Sequence, residues 1–270
     1  MRKRRAEYTV ESVDRALQIL DCIADDGGSL GVTAIGNKVG LHPTTVFRLM
    51  DTLVRRGYLQ RTQAVGHVAL GVKCVKLGAC YLKGLELRQV ALPFLRTLNK
   101  RTGEAVHLAI CDGEAAVYVE KLESPKTLSV QSRVGFRVPL YCTALGKIFL
   151  AFKGDDFRRD AFAHMKLVRY TANTHRNKQS LLADLKQVRS LGYALDNGEY
   201  EKGVHCLAAP IWDHNNQLRA AVSVTFPAVR NSVGRQKKIL ELVVETARKI
   251  SLQLGQFPAD PKPVTETTRF

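Results

Sequence analysis

The stretch GLHPTTVFRLMDTLVRRGYL, residues 40–59, constrains this chain more tightly than any other. Its apolar residues Val46, Leu49, Met50, Leu53 and Val54 follow the i, i+3, i+4, i+7, i+8 spacing of a helix with one buried face. Pro43 suits the first helical turn, where its missing N–H costs nothing, and Gly57 suits the C-terminal cap. At about 100° per residue, Thr45, Arg48, Thr52 and Arg55 fall on the opposite stripe. Arginines on such a stripe are ordinary solvated side chains in most helices. What surrounds the helix decides their meaning.

Before it, SVDRALQILDCIADD repeats apolar residues at helical spacing after Ser12 as an N-cap, and Gly27-Gly28 ends that pattern. VTAIGNKVG reads as a short helix capped by Thr33 and closed by a turn at Gly40. After the helix, YLQRTQAVGHVALG reads as two short strands around a tip near residues 64–66. Helix, helix, turn, helix and hairpin is the winged helix-turn-helix order, in which the third helix enters the DNA major groove. Thr44 and Thr45 would then stand nearest the base edges, with Arg48 one turn further on to reach guanine or phosphate. Arg55, Arg56 and Arg61 suit phosphates, Thr33, His42 and Thr52 complete the DNA-facing set, and His67 lies near the wing. For the basic arm RKRR, residues 2–5, two readings stand: a phosphate or minor-groove contact, or a solubilising terminus.

A net charge of +16 and a pI near 9.8 agree with a polyanionic partner, although basic residues are spread almost evenly along the chain. At 270 residues, two domains is the natural expectation. The six cysteines are scattered without a C-x-x-C pair, which argues against a disulfide framework or a zinc site and for free thiols in a reducing compartment. No apolar run is long enough to span a membrane, and no apolar h-region follows the basic start, so the cytoplasm is the expected location.

Beyond the hairpin the pattern turns helical from Val72 to about Thr102, broken near Lys83-Gly84. EAVHLAICDGEAAVYVEKLES reads as two strands around Asp112-Gly113, and TLSVQSRVG as a third. ALGKIFLAF and SLLADLKQVRSLG are helical, YALDN, HCLAAPIWD and LRAAVSVTF are strands, and a long helix covers about residues 232–254. Hairpin-joined strands with grouped helices indicate an α+β fold with an antiparallel sheet, and no glycine-rich phosphate loop interrupts it.

This second part also carries a small-molecule pocket. Thr143 precedes a helix, so the free N–H groups of Ala144, Leu145 and Gly146 face its entrance and attract a carboxylate. Ser223 and Thr225, two apart on a strand, face one side, and Asp196 and Cys206 flank a segment that brings both to one rim. Backbone donors, hydroxyls, a thiol and one carboxylate suit a small hydroxylated acid. Cys206 could instead be a buried small hydrophobe, and Tyr141 and Trp212 core residues. Arg133 and Arg137 read best as a solvated loop. A thiol triad of Cys206 with His107 or His205 and Asp196 lacks any sequence device to activate the thiol, and His205 and Cys206 are strand neighbours that point oppositely. Loose spacing likewise disfavours a metal site of His205, Cys206 and His214.

Together these stretches resemble the IclR family of bacterial transcription regulators. SVDRALQIL, LHPTTVFRLMDTLVRRGYL and GVKCVKLG are similar to its winged-helix domain. HLAICDGEAAVYVEKLES, SRVGFRVPLYCTALGKIFLAF, LGYALDNGEYEKGVHCLAAPIWD and AAVSVTF are similar to its effector-binding domain. The resemblance covers residues 10–255 in family order and leaves out the MRKRRAEYT arm and the C-terminal tail. It implies an N-terminal winged helix-turn-helix domain over 10–72, a helical linker over 73–102, a GAF-like effector domain with an antiparallel sheet over 103–255, and a disordered tail over 256–270. The family's pocket positions fall on Ala144, Leu145, Asp196, Cys206, Ser223 and Thr225; some members carry Ser or Gly in place of Thr225 and Ala144, which alters the pocket's shape. The implied function is a ligand-responsive repressor of a carbohydrate, sugar-acid or related small-carboxylate operon, most similar to the sugar-acid branch. An enzyme using Cys206, or an activator of aromatic-acid catabolism, is the alternative. Expected partners are an imperfectly palindromic operator in double-stranded DNA, a small carboxylate effector and further copies of the chain in a homodimer or homotetramer, with no cofactor, metal or membrane.

Overall fold

The computed structural model describes residues 9–83, 86–127 and 132–256, and the chain divides into two compact units between residues 84 and 85. The RKRR arm and nearly all of the Pro-rich tail lie outside the described residues.

The first unit runs α1 (Glu11–Asp26), β1 (Leu30–Gly31), α2 (Val32–Val39), α3 (Pro43–Arg55), β2 (Leu59–Arg61), β3 (His67–Leu70) and α4 (Val72–Lys83). Its strands form an antiparallel sheet in the order β1-β3-β2. The apolar stripes of three helices meet over this sheet: Ile19 and Ile23 from α1, Ile35 from α2, and Val46, Met50 and Leu53 from α3, with Leu59 and Val68 beneath. The turn between α2 and α3 depends on Gly40, whose φ of 67° lies in the left-handed region that a side chain disfavours.

Two N-caps differ from expectation. Helix α1 already starts at Glu11, capped by Val10 without a side-chain bond, so Ser12 lies inside its first turn. Thr33 is likewise inside α2, whose cap is Gly31. The reason is β1: Leu30 and Gly31 pair with Val68 and His67, so the backbone is extended through Gly31 and can turn helical at once. A two-residue strand leaves no periodic trace in sequence.

The second unit contains α5 (Glu86–Thr102), β4 (Ala105–Asp112), β5 (Ala115–Leu122), β6 (Arg137–Pro139), α6 (Ala144–Phe152), α7 (Asp155–His164), α8 (Lys178–Leu191), β7 (Ala194–Asn197), β8 (Val204–Trp212), β9 (Leu218–Pro227) and α9 (Val233–Gln253). Its strands form one antiparallel sheet in the order β6-β5-β4-β9-β8-β7. Ala109, Ala116, Ala208 and Ala221 pack with α6 and α8 in one apolar cluster. These small residues let α6 sit close to the sheet, while α9 packs along α5 and on β8 and β9. Of the nine residues of the expected strand TLSVQSRVG, 128–131 lie outside the described residues; the described remainder is not strand, and β6 forms further on. Helix α7 was not expected either, because its apolar residues are too few to mark a period.

Candidate functional site

On α3, His42 caps the helix by accepting the Thr44 N–H on Nδ1 at 3.4 Å. That bond fixes the orientation of the turn beneath Thr44. Thr44, Arg48, Thr52, Arg55 and Arg56 are exposed and Thr45 is half-buried. The Thr52 hydroxyl donates to the Arg48 carbonyl one turn back at 2.9 Å. Arg55 pairs with Asp51 at 3.1 Å, and Arg61 of β2 reaches the same carboxylate at 3.2 Å. Asp51 therefore ties the hairpin to the helix. Thr33 is exposed on α2.

Phe47, 52% exposed between Val46 and Arg48, is missing from the sequence-derived list. Its signal was present: it is an aromatic residue outside the apolar stripe of α3. An outward aromatic on a helix that enters a major groove can contact a thymine methyl.

In the second unit, a cavity of about 530 Å³, mouth included, opens beside the start of α6. The register explains how distant residues meet there. Asp196 pairs with Cys206 across β7 and β8, Cys206 with Thr225 and Ala208 with Ser223 across β8 and β9, and Ser223 with His107 across β9 and β4. Ala144, Leu145, Asp196, Cys206, Ser223 and Thr225 all line the cavity. Gly146 does not. The Thr143 hydroxyl accepts its N–H at 3.1 Å, and a Cβ on Gly146 would stand 2.3 Å from the Leu140 Cα. Gly146 is thus a packing glycine rather than a ligand donor. Capping by Thr143 leaves Ala144 and Leu145, ahead of the first intrahelical bond, as the free donors.

The walls add residues that sequence reasoning did not assign to ligand: His107, Tyr118, Ser132, Phe136 and Tyr200. The His107 Nε2 lies 2.7 Å from the Ser132 Oγ, its Nδ1 lies 3.4 Å from the Thr225 Oγ1, and that oxygen lies 3.2 Å from the Cys206 Sγ. Burial, with the nearby Lys121 charge, pushes the His107 imidazole down to about 3, so it is neutral. Burial pushes the Cys206 thiol well above its ordinary value, and the Asp196 charge adds to this. A thiol so held is a poor nucleophile. Burial and the Glu199 charge raise the Asp196 carboxyl to about 7, even though it accepts the Glu199 N–H at 2.7 Å. His205 takes no part in these contacts: its ring lies near Phe226 and its Nδ1 3.0 Å from the Asn231 Nδ2. Arg133 and Arg137 are exposed, the latter paired with Asp112.

Behind Asp196, the Lys147 ammonium bonds Asp184 at 2.7 Å and Glu199 at 2.6 Å. The ligand atoms of His175, Asp184 and Glu199 lie within 4.8 Å of one another, a spacing open to a metal ion. Lys147, only 2% exposed, already supplies the positive charge there.

Residues 12–63 match the IclR helix-turn-helix domain, and residues 79–252 match the family described as bacterial transcriptional regulator IclR C-terminal. The chain belongs to the IclR family. Like its relatives, this IclR-family chain is a ligand-responsive, DNA-binding transcription regulator and not an enzyme. It is 34% identical to the HTH-type transcriptional regulator XynR of Escherichia coli (strain K12), over 93% of this chain and 99% of that protein. To the Transcriptional repressor IclR of the same strain it is 29% identical, over 91% of this chain and 90% of the other. Among solved structures it resembles an IclR homolog complexed with 4-hydroxybenzoate from Microbacterium hydrocarbonoxydans. There the TM-score is 0.78 at 27% identity, covering 90% of this chain and 98% of that one. No described helix of this IclR-family member is long and apolar enough to cross a membrane.

Proposed function

We propose that this IclR-family regulator represses a carbohydrate or sugar-acid operon until a small carboxylate occupies the cavity of its second unit. The observation that carries this reading is the pairing of two free N–H groups, on Ala144 and Leu145, with a wall of hydroxyls and a thiol. The helix end attracts a carboxylate, and Asp196, Cys206, Ser223 and Thr225 select the hydroxyls behind it. Binding regulates only through different affinity for two arrangements of the protein, typically worth about 1–3 kcal/mol. D-xylonate, D-gluconate and 4-hydroxybenzoate, added separately to the full chain, test this by thermal unfolding. At a hundredfold excess over Kd, the acid that binds should stabilise the protein by about 2.7 kcal/mol. It should also release the promoter DNA upstream of the regulator's own gene. Stabilisation by none of these acids rejects the reading.

On DNA, α3 occupies the major groove with Thr44, Thr45 and Arg48 at the base edges and Arg56 on phosphate. His42, Thr33, Thr52 and Arg55 flank them. Exposed Val10 at the cap of α1, Val13 and Leu17 on α1, and Val72 and Val75 on α4 support pairing of two copies, as a homodimer or within a homotetramer. Two copies place two recognition helices on an imperfect palindrome. Arg48→Ala is expected to weaken operator binding by about 1–3 kcal/mol and to relax sequence preference at one position. A binding titration against point-substituted operators checks it, and unchanged preference removes Arg48 from the base-reading set.

A second reading, activation of aromatic-acid catabolism, is favoured by the aromatic wall of Tyr118, Phe136 and Tyr200 and by the relative solved with 4-hydroxybenzoate. A transcription assay in a strain lacking the regulator separates the two: target expression rises for a repressor and falls for an activator.

A further inference from the structure

We infer that the effector is a monoanion: its one carboxylate sits on the start of α6, and its far end carries an uncharged hydroxyl or carbonyl read by His107. This rests on the carboxylate reading above and narrows it to a ligand class.

Among the described residues the cavity offers one seat for an anion, the N–H groups of Ala144 and Leu145. Among the described residues no lysine or arginine lines it. Two buried cations stand nearby, and both are occupied. Lys147 is held by Asp184 and Glu199 at 2.7 and 2.6 Å. Lys121 donates to the Ser132 carbonyl at 2.5 Å and pairs with Glu123 at 2.6 Å. The acidic side chains of Asp196 and Glu201 line the same space. A second carboxylate would enter beside these acids without a counter-ion, and an unpaired buried charge is strongly disfavoured.

His107 explains what the far end meets instead. It is 1% exposed, and both ring nitrogens lie beside hydroxyls, Ser132 on one side and Thr225 on the other. A neutral imidazole offers one N–H and one lone pair. If Nε2 donates to Ser132, then Nδ1 accepts from Thr225, and the Ser132 hydrogen is free to point at a ligand. If Ser132 donates to Nε2 instead, the ring donates to Thr225, and the Ser132 oxygen keeps a lone pair for a ligand hydroxyl. The same residues therefore serve a carbonyl or a hydroxyl, through a reversal of donors that moves no heavy atom.

The test uses the full chain and matched acids: D-gluconate against D-glucarate, D-galactonate against galactarate, and 4-hydroxybenzoate against terephthalate. Isothermal titration is run at pH 8, where Asp196 is largely charged. Within every pair that has a binding member, the monoacid is expected to bind at least tenfold tighter. A smaller gap, or a diacid that binds better, overturns the inference while leaving the α6 seat intact. Binding of none of the six to the folded protein overturns the carboxylate reading and this inference with it. For the hydroxy acid that binds, His107→Leu should weaken affinity at least tenfold, whereas His107→Gln, which keeps a donor and an acceptor, should stay within threefold. Equal loss in both variants, or loss in neither, removes His107 from the specificity role. The wild-type pairs decide the charge question whether or not the leucine variant folds.

Discussion

Gly146→Ala is expected to destabilise the second unit by more than about 3 kcal/mol, above the ordinary range for overpacking. The added Cβ would stand 2.3 Å from the Leu140 Cα and 2.4 Å from its carbonyl oxygen. Both are backbone atoms, in a segment buried on either side, so no flexible side chain can give way. Relief requires α6 to lift, and α6 packs against β8, β9 and α8. Gly78→Ala provides the contrast. Gly78 is an exposed helical residue of α4 with open space around it, and alanine there should be neutral or stabilising by up to about 1 kcal/mol. Urea unfolding of both variants checks the pair. A Gly146 variant as stable as the parent would show that α6 is not pinned as described.

Lys147→Met is expected to cost about 3–5 kcal/mol, the usual consequence of removing one partner from a buried ion pair. Burial works to lower the Lys147 ammonium, but the carboxylates of Glu199 and Asp184 prevail and hold it above its ordinary value. On Glu199 the balance runs the other way: burial raises the carboxyl, and the Lys147 charge only partly offsets it. Its second oxygen is buried without a hydrogen-bond partner among the described residues, 3.7 Å from the His175 ring. Without Lys147, Glu199 in the folded chain takes up a proton more readily than in the unfolded one. The variant's loss should therefore shrink as pH falls toward the ordinary carboxylate range and grow as pH rises. Adding Glu199→Gln should recover much of the loss at neutral pH. A double-mutant cycle by denaturant titration measures this, and additive losses would mean that the two side chains are not coupled. Glu199 also gives its N–H to Asp196, so the single variant should weaken effector binding as well.

Much of this molecule is legible in its amino-acid order, for identifiable reasons. Helices α1, α2 and α3 announce themselves because each buries one apolar stripe, and the hairpins of the second unit because their turns carry Asp-Gly or a polar run. What escaped was short or non-local. Strand β1 has two residues and owes its existence to Val68 and His67, far along the chain. His107 enters the sequence reading only as a possible triad partner of Cys206, and the register against Ser223 is what places it in the cavity wall. Gly146 shows the converse error. Position at a helix start suggested a ligand donor, but the Thr143 hydroxyl already accepts its N–H and the Leu140 backbone takes up its surface.

The strand order carries a consequence for how the regulator is made. Strand β9 lies between β4 and β8, and the His107–Thr225 contact joins positions 118 residues apart. During synthesis, β4, β5, β6 and α6 all leave the ribosome well before the strand that completes the pocket. A growing chain therefore has an α6 end but no opposing cavity wall until Thr225 has emerged. An effector of the kind proposed above would therefore meet a complete wall only on chains synthesised through β9.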